Sequence, residues 1–141
     1  MFKGDLDRHA RTQKLMQSGA LSTGEDLYRA AFIFQHGSKP SDYLLAHSLA
    51  IAAAARGKTH ATWIAAATLD RYLQAIGQKQ IFGTQFDLPR GQPVTQEPYD
   101  RDLIPDALRK VLSVPVQAEQ EQRRQQMQAR HLPGTPAGAK P

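Results

Sequence analysis

Asp70 and Arg71 stand side by side at the end of TWIAAATL, a stretch without a charged residue. A carboxylate in such a setting must be paired or hydrogen-bonded, because an isolated buried one is very costly. Two roles fit the pair. It can anchor a helix end to the loop that follows, or Asp70 can act as a general base with Arg71 as a substrate anchor at a cleft.

Three other places carry side chains with chemical potential. His47 is the only ionisable residue between Leu44 and Ala55, and shares a helical face with Leu44, Ala50, Ile51 and Ala54. Such a histidine is either a hydrogen-bonded core residue or a base. His36 precedes Gly37 at a predicted helix C-terminus, where the dipole favours a cation, so capping accounts for it; Gln35 beside it has no such local role. His9 follows Asp5 by four residues, a local helix pair.

The third place is QKQIFGTQF, residues 78–86. Ile81, Phe82 and Phe86 can plug the end of a core, with Gly83 permitting a bend. Gln80, Thr84 and Gln85 then either satisfy backbone groups or line a cleft wall as neutral hydrogen-bonders of a polar ligand.

Several chemistries find no residues here. Without cysteine there is no disulfide, thiolate metal site or cysteine nucleophile, and the redox compartment stays open. The histidines lack HExxH spacing and no acidic cluster has calcium-loop order, so no metal is expected, although His9, His36 and His47 could meet across helices. There is no P-loop, dinucleotide fingerprint or nucleophile elbow, and no cofactor is expected. The net charge of +5 is spread over single Lys and Arg residues apart from the pairs Arg109-Lys110 and Arg123-Arg124, so nucleic acid is not an expected partner. No apolar run approaches the roughly 20 residues of a membrane span. MFKGDLDRHARTQ holds no apolar segment of a signal peptide, which leans to a cytoplasmic location and leaves an exported mature form open.

The elements that must position these residues are helical. Asp5 to Gln17 reads as a helix ended by Gly19. Ser22 or Thr23 caps the next, with Ser22 and Glu25 at capping-box spacing, and it stops at His36-Gly37. After Lys39-Pro40, Ser41 caps a run to Arg56-Gly57, and Thr59 caps another that ends at Gly77. These two runs lack a charged face, which places them among other elements, and their alanines allow close approach. The proline-rich residues 78–99 form an ordered loop or two short extended pieces, near Ile81–Phe86 and Pro93–Gln96. A short helix follows from Pro105 to Leu112. Residues 116–131 predict a polar helix, a solvated extension or a partner-docking arm, and 132–141 read as a disordered tail beyond a single domain at 1–131.

Asp42-Tyr43, Ala46, Ala53-Ala54, Gly57 and Ala61 resemble one tetratricopeptide-like repeat of the Sel type. Ala66 and Tyr72 stand where such repeats favour glycine, so no array of about three stacked units is implied. Over a longer span, AAFIFQHG, LLAHSLA, LDRYLQAIGQKQIFGTQF and DALRKVL resemble a group of small uncharacterised bacterial proteins. In these a Gln-His pair, an Asp-Arg pair and a Gln-x-aromatic-Gly-Thr-Gln segment recur in order. That resemblance implies positions and no activity.

The expected fold is therefore all-α, with five or six helices around an alanine-rich αα-hairpin and one irregular or weakly β segment. The expected function is a binding module for a peptide or polar ligand, with a protein or peptide partner. Its candidate contacts are Gln35, His36, His47, Asp70, Arg71, Gln80, Thr84 and Gln85. The alternative is a small cofactor-free enzyme, such as a hydrolase, built on the same residues.

Overall fold

The computed structural model describes residues 3–131, so the tail expected at 132–141 lies outside it. The fold is all-α, with six helices among the described residues: α1 (Lys3–Gln17), α2 (Gly24–Gln35), α3 (Pro40–Ala55), α4 (Ala61–Ala75), α5 (Asp106–Val111) and α6 (Gln117–His131). None is long and apolar enough to cross a membrane.

Local chemistry sets the starts, at times one or two residues from the expected cap. Thr23 caps α2 by accepting from the Asp26 amide at 3.1 Å, while Glu25 turns to Arg29 and Lys58 at 3.0 and 2.7 Å. At α3, Pro40 supplies a pre-set φ and Asp42 reaches back to the Lys39 amide at 3.1 Å, so Ser41 is not the cap. No side chain caps α4 at Thr59; instead the Thr62 hydroxyl lies 3.0 Å from the Thr59 carbonyl and 2.8 Å from that of Leu112. This second contact ties the start of α4 to the end of α5.

The core lies where α2, α3 and α4 meet, with α3 in the middle. Ala31, Phe34, Ala46, Ala50, Ala53 and Ile64 are buried there. Small residues on facing helices bring backbones together, which is why the charge-free runs sit centrally. α1 closes one side of α2 through His9, whose ring meets Phe34 edge-on at 4.2 Å and whose Nε2 lies 3.3 Å from Asp42 Oδ1. The predicted local pair with Asp5 does not form: the His9 ring packs on Phe34, turned toward Asp42, and Asp5 pairs with Arg8 at 3.0 Å.

Residues 78–116 cover another face of α4. Phe82 and Val114 bury against Ala66, flanked by Leu69, Ile81, Ile104 and Leu112. The segment is irregular, with two isolated bridges, Gln80 to Tyr99 and Asp87 to Thr95. α6 is no free extension. Arg124 donates to the Val94 carbonyl at 3.2 Å, Gln128 accepts from the Val94 amide at 2.6 Å, and Gln120 is buried. Polar contacts at four-residue spacing dock a helix that has no apolar stripe.

Candidate functional site

Asp70 is fully buried and its carboxylate is completely engaged. Oδ1 accepts from the amides of Ile81 and Phe82 at 2.8 and 3.0 Å. Oδ2 accepts from the Thr84 amide at 3.0 Å and the Thr84 hydroxyl at 2.7 Å. Four donors occupy about all the lone-pair positions a carboxylate has. Asp70 thus fastens the QKQIFGTQF loop to α4. Arg71 does not pair with it, since adjacent helix residues point about 100° apart. Its Nη1 instead donates to the Gln35 carbonyl at 3.1 Å, at the end of α2.

The glutamines of the loop mostly turn inward. Gln80 is fully buried; its Nε2 donates to the carbonyls of Gln85 and Gln96 at 2.9 and 2.6 Å, and its Oε1 accepts from the Gln85 amide at 3.1 Å. Thr84 is committed to Asp70. Gln85 remains half-buried, with Nε2 on the Thr84 hydroxyl at 3.0 Å.

Beneath them lies a polar cluster that the sequence reading did not single out: Gln96, Tyr99, Arg109 and Gln120, all buried. Its centre is the Phe82 carbonyl, approached by Gln120 Nε2 at 2.9 Å, Tyr99 OH at 3.2 Å and Arg109 Nε at 3.3 Å. Arg109 also donates to Tyr99 OH at 2.7 Å and to Asp106 at 3.2 Å, so its buried charge is shared among four acceptors with the Arg101 carbonyl. Nothing in the sequence marks these residues. Gln120 is one glutamine among many in α6, and Arg109 sits beside an exposed Lys110.

Burial raises the Tyr99 pKa above its ordinary value near 10, with the Arg109 charge offsetting part of the rise. The unfolded chain loses this proton near pH 10 while the folded protein keeps it, so the folded state binds more protons across that window. Stability therefore falls as pH climbs from about 10 to the raised value, by up to about 1.4 kcal/mol per pH unit from this group. Urea unfolding between about pH 9 and 11.5 should show a shallower loss in Tyr99→Phe than in wild type.

The remaining candidates line separate surface clefts. His47, Ile51 and Ala54 of α3 face Ala65 and Ala66 of α4 across a cleft of about 260 Å³. Phe82 and Leu112 complete its lining, with Thr62. His47 Nδ1 lies 2.7 Å from the Ala65 carbonyl, which can only accept, so Nδ1 carries a hydrogen. An open cleft of about 320 Å³ is lined by Tyr43, Arg71, Gln74, Ala75 and Gln85. His36 caps α2 and lines a different groove, of about 230 Å³, with Asp5, Arg8, Phe32 and Ile33. Gln35 is buried and contributes its carbonyl to Arg71.

The eight candidates thus do not converge. Asp70, Gln80 and Thr84 build the loop anchor, Arg71 and Gln85 share the open cleft, Gln35 lends only its carbonyl to Arg71, His47 belongs to the apolar cleft, and His36 lies apart. Among the described residues no group of three or more His, Cys, Asp or Glu could hold a metal ion. Comparison with protein-family models, with curated proteins and with solved structures finds no match.

Proposed function

We propose that the protein is a binding module that receives an apolar side chain of a peptide partner in the cleft between α3, α4 and Phe82. The observation that carries this reading is the lining itself. Ile51, Ala54, Ala65, Ala66, Phe82 and Leu112, with the His47 ring and Thr62 among them, present an almost wholly apolar surface. A concave, predominantly apolar surface is the usual form of a recognition site. Ile51 is 52% exposed at its rim, which leaves apolar area for a partner to cover. The α3–α4 hairpin then serves as the Sel-type resemblance implies, as an interaction surface. A cofactor-free hydrolase needs Asp70 or His47 as a base. The lone pairs of Asp70 are taken by the loop, which favours binding over catalysis.

A random 12-residue peptide library selected on immobilised protein tests this, with Ile51→Lys in parallel. Ile51 is exposed enough that the change should alter stability by no more than about 0.5 kcal/mol. Wild type should enrich peptides sharing an apolar residue, and their affinity should drop about tenfold or more on Ile51→Lys. No enrichment, or equal binding by both proteins, contradicts the proposal.

A further inference from the structure

Resting on that reading, we infer that the partner peptide carries an acidic side chain three or four residues from its apolar anchor, held by Arg71. The apolar cleft and the Arg71 cleft meet α3 on one stripe: Tyr43 lines the second, and His47, Ile51 and Ala54 line the first. These residues recur at helical spacing, so they face the same way on successive turns. The opposite wall is shared too, since Phe82 and Gln85 come from one loop fastened by Asp70. The two clefts thus form the two ends of one recognition surface, apolar at Ile51 and polar at Arg71.

The chemistry of the polar end selects an anion. Arg71 has no carboxylate within ion-pair distance among the described residues. One of its N–H groups is spent on the Gln35 carbonyl, and Nη2 makes no hydrogen bond to the described residues. A half-buried guanidinium with free donors matches a carboxylate, and the amides of Gln74 and Gln85 beside it can orient one. The net charge of +5 favours an acidic partner at longer range. The cleft is open at this end, so the peptide can run on past Arg71, which makes an Asp or Glu side chain the carboxylate. Tyr43 to Ile51 is eight helical residues, about 12 Å at 1.5 Å each, and an extended peptide covers that in three to four residues at about 3.3 Å each.

Peptides enriched on wild type are synthesised as pairs, with Glu or Gln at the acidic position, and titrated against wild type, Arg71→Lys and Arg71→Gln. The Glu peptide should bind wild type about tenfold more tightly than its Gln twin, with the difference shrinking in high salt. Arg71→Gln should erase that preference, and Arg71→Lys should retain part of it. If enriched peptides share an apolar residue but show no acidic position, or if Glu and Gln peptides bind wild type equally, the inference fails while the binding module stands. If no peptide is enriched, both fail. The wild-type comparison decides the matter even where an Arg71 variant does not fold.

Discussion

Asp70→Asn is expected to lower stability by about 3 kcal/mol, a large share of the roughly 5–15 kcal/mol that holds a domain together. The carboxylate accepts two donors on each oxygen, three of them backbone amides. Asparagine keeps one acceptor oxygen and turns an NH₂ toward donors that need an acceptor. Two buried donors then lose their partner, and the loop that carries Phe82 comes loose. Urea unfolding measures the cost directly, and the melting temperature should drop by on the order of 10 °C. Removing a general base would leave stability unchanged or improve it, because catalytic groups are commonly strained in their sites. An unaltered or raised midpoint for Asp70→Asn would therefore refute the anchor role.

Gly83→Ala should cost still more, about 4 kcal/mol. Gly83 holds φ at +79°, a region that L side chains adopt at a cost of about 1–2 kcal/mol. Space is the greater obstacle. A β-carbon there would run into the Tyr99 hydroxyl and ring and into Gln120 Oε1. These atoms cannot step aside easily, since Tyr99 and Gln120 are buried and bonded to each other at 3.0 Å. Overpacking and broken buried hydrogen bonds add about 1–3 kcal/mol each. Gly77 is the matched control, with φ +75° and open space where its β-carbon would go. Gly77→Ala should cost only about 1 kcal/mol. Equal losses at the two glycines would show that backbone conformation alone, and not the polar cluster, makes Gly83 necessary. Gly83→Ala should also weaken peptide binding beyond its effect on stability, because Phe82 is a wall of the cleft.

The helices were legible because their signals are local. Glycines at 19, 57 and 77 end runs with positive φ, and the alanine-rich, charge-free stretches of α3 and α4 mark the centre of the fold. The importance of Asp70 was also legible, from a charge at the end of an uncharged stretch, and a loop anchor was one of its two readings, but not which of Asp70 and Arg71 would do it. Which of two adjacent charges turns inward depends on helix rotation against the loop, and that is set by tertiary packing. The glutamines illustrate the same limit. Gln80, Gln96 and Gln120 are buried while Gln78 and Gln92 are exposed, with the same side chain and no difference in local pattern. The docking of α6 was hidden for a related reason. An interface made by Gln120, Arg124 and Gln128 looks in sequence like a solvated face. The apolar cleft arises only when Phe82 and Leu112, 30 positions apart, come to lie beside Ile51.

Chemical-shift mapping of the backbone amides, with a peptide enriched on the wild-type protein, tests the central proposal most directly. The shifts should concentrate on His47, Ile51, Ala54, Ala65, Ala66 and Phe82, and extend to Tyr43 and Gln85. Shifts confined to the groove of Phe32, Ile33 and His36, with the α3–α4 face silent, would contradict it.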